Sequence, residues 1–356
     1  MTAQSDSIVS ESRACRVSDS EATLKTEITN PPVKTRVAIG LDIGGTKLSA
    51  ALLNTKTGIE RFEKISTPTD GRAFVAAIIE LLQPLMTGDE DAKRPECVGI
   101  ASAGTVNSET GDIFGSTGNL PALRQIGSLR ESLEQQLGVP VFIENDANAA
   151  AYGEARVGAA VGFTDVLMIT LGTGVGSGFL IHDRLVRGAH FTAGEAGHIA
   201  ISKRKRRLCT CGRWDCWETY ASGTGFAKTA QLELEAAPNA QSSLILQKDG
   251  KTIAISDVTT YDVLAAYKAG DYIAKSVVTQ WHEDIAIGLG SLMNVLDPAV
   301  TVVGGGMASV VDFELLTRLT QERSMYAPIN LQPAKLGNQA GIVGAAYLAL
   351  DRVEVH

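Results

Sequence analysis

"DVLMITLGTGVGSGFLI", residues 165–181, is the stretch from which the fold can be read. An apolar, β-branched run enters a glycine-rich turn and a second apolar run leaves it, which predicts a strand–turn–strand hairpin. The same texture stands earlier as "VAIGLDIGGTKLSAALL", residues 37–53, with "DIGGT" as the turn. Two copies of one hairpin roughly a domain-length apart predict a duplicated fold with two similar halves.

The surrounding elements agree with this. "FVAAIIELLQPLM" (74–86) has helical spacing and "ECVGIASAG" (96–104) reads as a strand. The helix "GSLRESLEQQLG" (127–138) leads into the strand "VPVFIEN" (139–145), and the alanine-rich "DANAAAYGEARVGAA" (146–160) opens a helix at Asp146. A third glycine cluster, "VTVVGGGM" (300–307), ends a strand that follows the helix-like "IAIGLGSLMNVLDP" (285–298). "AGIVGAAYLALDRV" (340–353) reads as a closing helix, and residues 231–257 lack periodicity and read as a variable connection. Strands alternating with helices predict α/β architecture.

With 356 residues the chain is long enough for two domains. The expected boundaries are a disordered, polar tail at 1–36, a smaller α/β domain at 37–147 plus 341–356, and a larger one at 148–340. A net charge of −8 argues against broad nucleic-acid or anionic-membrane binding. No apolar run approaches the roughly 18 residues of a spanning helix. The N-terminus has no apolar core for a signal peptide, so a cytoplasmic location with reduced thiols is expected.

The glycines at 172, 174, 176 and 178 recur with a period of two, which would leave one face of an extended chain bare. Backbone N–H groups on such a face can approach a phosphate; the bland alternative is a tight turn. No G-x-x-x-x-G-K-[ST] loop occurs, because Thr46 stands where that motif needs lysine, and G-x-G-x-x-G follows neither strand. What remains is a clamp of two hairpins, of the kind that actin and the hexokinases use. Asp42 beside "GGT" could hold Mg²⁺ next to the phosphates, or simply bond its own turn.

Asp146 stands where a strand ends and a helix begins. It reads either as an N-cap or as a carboxylate aimed out of the sheet, able to take the proton of a hydroxyl in phosphoryl transfer. Asn145 and Asn119 ("STGNLP") could bond sugar hydroxyls or serve turns. Three of the five cysteines crowd into "CTCGRWDCWE" (209–218), downstream of "AGEAGH". His198, Cys209, Cys211 and Cys216 together satisfy tetrahedral Zn²⁺ with no vacant position, a structural rather than a catalytic metal. Such a clip would orient Glu195 and Glu218, two plausible acceptors for sugar hydroxyls. The run "KRKRR" (203–207) between the ligands reads as a solvated loop. His182, His190 and His282 take surface or core roles.

Taken together, "LDIGGTK", "ENDANAAA", "LGTGVGSG", "GEAGHIAIS", "CTCGRWDCWETYASG" and "VVGGG" resemble, in order, the ROK family of repressors and sugar kinases. The resemblance covers about residues 37–352. It implies a two-domain, actin-like (ribonuclease H-like) ATPase fold closing on sugar and ATP, with Asp146 as the base. Asn119, Asn145, Glu195, His198 and Glu218 would line the sugar site, and Gly104 and Thr117 fall near positions that touch sugar in some members. Gly44, Gly45, Thr46 and Lys47 with Gly172, Thr173 and Gly174 would hold the phosphates, and Gly304 and Gly305 would sit by the nucleoside. "CWETYASG" looks most like the bacterial glucokinase branch, which implies transfer from ATP to the 6-hydroxyl of glucose. N-acetylmannosamine and N-acetylglucosamine are the alternative acceptors, and a sugar-sensing regulator is the rival from another class. The family also implies a homodimer. The sequence departs from the family pattern at Asp215, where glycine is usual, and at "SAG" (102–104), where many members carry a Pro-Gly pair.

Overall fold

The computed structural model describes residues 35–87, 93–114, 120, 122–123, 126–238, 242–245, 252–325 and 328–355. Most of the expected tail, residues 1–34, lies outside that set. Arg36 does not behave as tail: it is buried, bonds Glu96 through Nε at 2.9 Å and donates to the Leu350 carbonyl at 2.8 Å.

The first half opens with β1 (Val37–Ile43), β2 (Lys47–Asn54), β3 (Gly58–Ser66) and helix α1 (Gly71–Met86). It continues with β4 (Val98–Ser102), a small ribbon of β5 (Thr105–Asn107) and β6 (Asp112–Phe114), helix α2 (Leu129–Leu137) and β7 (Val141–Asn145). Helix α3 (Asp146–Val157) then leads to β8 (Val166–Leu171), β9 (Val175–Ile181) and β10 (Arg184–Leu185). The rest comprises α4 (Glu218–Ala221), α5 (Gly223–Ala236), α6 (Thr260–Lys268), α7 (Tyr272–Leu296), β11 (Val300–Gly304), α8 (Phe313–Gln321), β12 (Leu331–Pro333) and α9 (Ala340–Val355).

The first sheet has the order β3-β2-β1-β4-β7 and the second β10-β9-β8-β11-β12. In each, a central strand pairs antiparallel with the hairpin partner that follows it and parallel with the next strand across. The two hairpins read from the sequence are thus equivalent parts of two like sheets. The central strands are apolar almost throughout because helices cover both faces.

The last helix of each run is exchanged. Helix α3 follows the first sheet but packs on β8 and β9 of the second, whereas α9 ends the chain but packs on β1 and β4 of the first. Glycines make these seats. A Cβ at Gly40 would lie 2.0 Å from the Ile342 carbonyl oxygen, and one at Gly99 would lie 1.9 Å from that of Ala345. The two helices also cross each other, with the Cβ position of Gly344 only 1.7 Å from the Ala149 carbonyl oxygen. Small residues are the sole means for backbones to approach this closely.

One expected boundary fails. Residues 231–236, assigned to an aperiodic connection, are the last turns of α5. Its buried face is Phe226, Thr229, Ala230 and Leu234, so a window opening at 231 cuts the helix after most of its apolar positions have passed. Among the described residues no helix is long and apolar enough to cross a membrane.

Gly344→Ala is expected to lower unfolding stability by about 3 kcal/mol or more, at the upper end of overpacking costs. Urea denaturation checks this, and an unchanged midpoint would mean that the helix crossing is not tight.

Candidate active site

The junction of β7 and α3 resolves the ambiguity at Asp146. The N-cap of α3 is Asn145, whose Oδ1 accepts from the N–H groups of Ala147 at 3.0 Å and Asn148 at 3.1 Å. Its Nδ2 donates to the Gly104 carbonyl at 3.0 Å, which leaves one amide hydrogen for any other partner. The capping role thus falls to Asn145, one residue earlier than the sequence suggested. Asp146 is the first helical residue; solvent reaches its side chain, whose Oδ1 accepts from Ala147 N–H at 2.8 Å. Desolvation raises its pKa although solvent still reaches the carboxylate.

Asp42, at the end of β1, belongs to the same site. Burial and then the nearby Asp146 push its carboxyl up to about 7, and it accepts no hydrogen bond from the described residues. Two carboxylates held close without a neutralising partner form a donor set suited to a hard divalent cation.

The cysteine loop supplies the other residues of the candidate site. His198, Cys209, Cys211 and Cys216 bring their ligand atoms within 4.8 Å of one another. Cys211 Sγ and Cys216 Sγ are 3.6 Å apart, as are Cys209 Sγ and His198 Nδ1. A tetrahedral zinc with Zn–S near 2.3 Å requires ligand–ligand spacings of about 3.5–3.8 Å, so this donor set fits the ion. The other ring nitrogen, His198 Nε2, faces Glu195 Oε2 at 3.8 Å. The loop is anchored from behind by Trp217, which is fully buried and donates from Nε1 to the Asp284 carbonyl at 2.8 Å. Gly288 makes room for it, since a Cβ there would lie 2.1 Å from the indole.

That anchor places Glu218. Its Oε2 accepts from the Val175 N–H at 3.1 Å, and Cys209 Sγ lies 3.7 Å from its Oε1. The carboxyl of Glu195 is raised by burial, with His198 opposing and with Asp146 and Glu218 adding to the shift. Asp42, Asp146, Glu195, Glu218 and His198 therefore share one electrostatic neighbourhood. Thr117 and Asn119 lie outside the described residues.

The glycine turns need a partial correction. The bare face of "GTGVGSG" is mostly filled by protein. Gly176 and Gly178 face α3, where added Cβ atoms would lie 3.1 Å from Ala147 Cβ and 2.8 Å from its carbonyl oxygen. Gly174 faces Glu218, 2.2 Å from its Oε2, so its missing side chain admits that carboxylate. Gly172 alone of the four meets open space, beside the exposed Thr173. In the first hairpin Gly44 N–H donates to the Lys47 carbonyl at 3.0 Å, leaving Gly45, Thr46 and Lys47 exposed at the tip. Gly305 has φ +88, and its Cβ position lies 2.4 Å from the Leu171 carbonyl oxygen, so this turn needs glycine for both shape and space.

The basic run is solvated only in part. Lys203 to Arg206 are exposed, but Arg207 turns inward. Its guanidinium donates to the carbonyls of Thr219 and Gly225 and stacks on the Tyr220 ring at 4.2 Å. Asp215, with φ +58, explains why glycine would suit its position. Its buried Oδ1 accepts from the N–H groups of Arg206 and Arg207 and from the Tyr220 hydroxyl. His282 is a satisfied core residue, with Nδ1 on the Val278 carbonyl and Nε2 accepting from Asp312 N–H. Sequence reasoning overlooked Glu144 and Arg187, which form a largely buried ion pair at 2.7 Å. The available signal was a charge inside the apolar strand "VFIEN".

The model of the ROK family matches residues 38–352. The chain belongs to the ROK family. Among its ROK relatives is a glucokinase of Streptomyces coelicolor, 34% identical over 88% of this chain and 98% of that protein. An N-acetyl-D-glucosamine kinase of Erwinia tasmaniensis is 30% identical over 87% of this chain and 98% of its own length. A ROK family glucokinase from Streptomyces griseus, solved in complex with glucose and AMPPNP, superposes with a TM-score of 0.71. It is 33% identical, and the match covers 88% of this chain and 99% of that one.

The raised carboxyl of Asp42 makes the stability of this ROK protein depend on pH in a set direction. Between the usual 3.8 and about 7, the unfolded chain gives up this proton before the folded one does. Folding stability should therefore fall as pH rises through that window and level off above it, once the carboxyl is ionised in both states. Without magnesium or nucleotide, wild type should lose more stability than Asp42→Asn between pH 5 and pH 8 in urea titrations. Equal losses would show that Asp42 is not strained by charge.

Proposed function

We propose that this chain is an ATP-dependent glucose kinase that transfers the γ-phosphoryl group to the sugar 6-hydroxyl. The observation that carries this reading is Asp146. Its neighbour Asn145 caps the helix, which leaves Asp146 with a raised pKa in a site shared with Glu195, Glu218 and His198. Phosphoryl transfer to an alcohol needs such a carboxylate, positioned to accept the hydroxyl proton as the O–P bond forms. The glucokinase relatives support a hexose acceptor of this kind.

Glu195, Glu218 and His198, with the remaining Asn145 amide hydrogen and the Gly104 backbone, would hold the sugar hydroxyls. Thr117 and Asn119 complete this set in our reading. The tips at Gly44–Lys47 and Gly172–Gly174 would hold the phosphates of ATP, with Gly304 and Gly305 beside the nucleoside. Asp42 would hold Mg²⁺, which supplies charge neutralisation of the phosphates. His198 and the three cysteines would hold Zn²⁺, which supplies rigidity to the loop behind Glu218. The two sheets, each with its exchanged helix, would be the domains that close over the substrates, in a cytoplasmic homodimer. A second reading, an N-acetylglucosamine kinase, is favoured by the relatives of that activity.

ADP release from Mg-ATP, measured against glucose, mannose, N-acetylglucosamine and N-acetylmannosamine, tests the reading, and glucose should give the highest kcat/KM. Preference for an N-acetylhexosamine would move the assignment to the second reading, and silence with all four sugars would remove kinase function. Asp146→Asn should cut kcat by roughly 10²–10⁴ while leaving glucose affinity near normal; full turnover in that variant would place the base elsewhere. Metal analysis should find one zinc per chain. Cys211→Ser should lose it while lowering Tm and weakening glucose binding together, and a variant of unchanged Tm and affinity would end the zinc-clip account.

A further inference from the structure

Glu144 lies two residues before Asp146 on β7 of the first sheet, with its side chain 6% exposed. Its Oε1 accepts from the Asn145 N–H and from Asn148 Nδ2, both at 3.1 Å. Its Oε2 accepts from Arg187 Nε at 2.7 Å. Arg187 comes from the other half of the molecule, in the segment that runs from β10 to Glu195 and His198. That segment closes on itself at one end and is tied to β9 at the other. Ala193 N–H donates to the Arg187 carbonyl at 3.1 Å, and the Ser177 hydroxyl donates to the Gly194 carbonyl and accepts from Ala196 N–H. The Ala193 bond links Arg187 to the stretch that leads into Glu195 and His198.

We propose that the Glu144–Arg187 ion pair is a positioning device: it sets the separation between the strand end bearing Asp146 and the loop bearing Glu195 and His198. Among the ties of this loop named above, it alone crosses to the first sheet. Glu144 also bonds the backbone N–H of the residue that caps α3, so the same carboxylate registers both walls of the site. Glu144 is buried, Arg187 is partly so, and the carboxylate accepts three hydrogen bonds, which distinguishes the pair from surface ion pairs of little consequence. A displacement of the order of 1 Å in such a site can cost up to about 10²-fold in rate.

A double-mutant cycle on Glu144→Gln and Arg187→Met tests the proposal, with glucose Kd measured by calorimetry without ATP, together with kcat, the KM for ATP and urea midpoints. Each single variant should weaken glucose binding and lower kcat by roughly tenfold each, within the range for small misplacements. The KM for ATP should stay within about twofold, because the phosphate-holding tips lie on other segments. The double variant should be little worse than either single, since both remove one interaction. Arg187→Lys should recover part of the loss, because its ammonium, one bond further along the side chain than Nε, keeps the positive charge beside the Glu144 carboxylate. Lower urea midpoints with unchanged glucose Kd and kcat, additive losses, or a lysine variant no better than methionine would each overturn the proposal. If Arg187→Met does not fold, Glu144→Gln and Arg187→Lys carry the comparison, and equal glucose Kd in those two would overturn it. The inference rests on the kinase reading only for its kcat arm. Should Asp146→Asn turn over normally, that reading of the base falls, while glucose affinity without ATP still decides the role of the ion pair.

Discussion

The crossing of α3 and α9 is the constraint on which the rest of the molecule depends. Each helix seats on the sheet of the opposite half through strand positions that carry no side chain, and the two meet where Gly344 faces the Ala149 carbonyl. The N-terminus of α3 carries Asp146, and the first turn of α9 lies beside Asp42 and Asp146, with the Gly341 Cβ position 3.9 Å from Asp42 Oδ1. Backbone contact at this spacing leaves no slack for sliding. The carboxylates at the centre of the site are therefore registered by the same contacts that join the halves.

The cysteine loop solves a second placement problem in a different way. It has little regular structure of its own, so its shape comes from local ties: the cluster of His198 and three cysteines on one side, the Asp215 carboxylate over the Arg206 and Arg207 amides on the other, and Trp217 wedged into α7 beneath. Glu218 follows Trp217 directly, and it is further held by the Val175 amide of the second hairpin. One carboxylate thus joins the loop, the hairpin and the site.

Much of this was legible in the sequence, for identifiable reasons. The duplicated hairpins stood out because buried central strands are apolar on both faces, and the His–Cys cluster because cysteines rarely crowd. Closely spaced glycines are ambiguous in a way composition cannot resolve. Their period of two was visible, but only the packing shows that α3 and Glu218 occupy most of the bare face. The capping assignment slipped by one residue because Asn and Asp serve that position equally well, and the choice between Asn145 and Asp146 depends on where the Gly104 carbonyl lies in space. Arg187 was invisible because its partner is 43 residues away on another sheet. The inward turn of Arg207 was hidden by the four exposed cations before it.

The exchange of terminal helices also bears on how the chain is made. Synthesis runs from the N-terminus, and domains commonly fold as they emerge. Here the helix that covers β1 and β4 is made only after the whole of the second sheet. Until then the grooves at Gly40 and Gly99 face water, and α3 lacks the partner it crosses. The first-made half must wait for a helix made after the second sheet, so the two halves of the nascent protein are completed together rather than one by one.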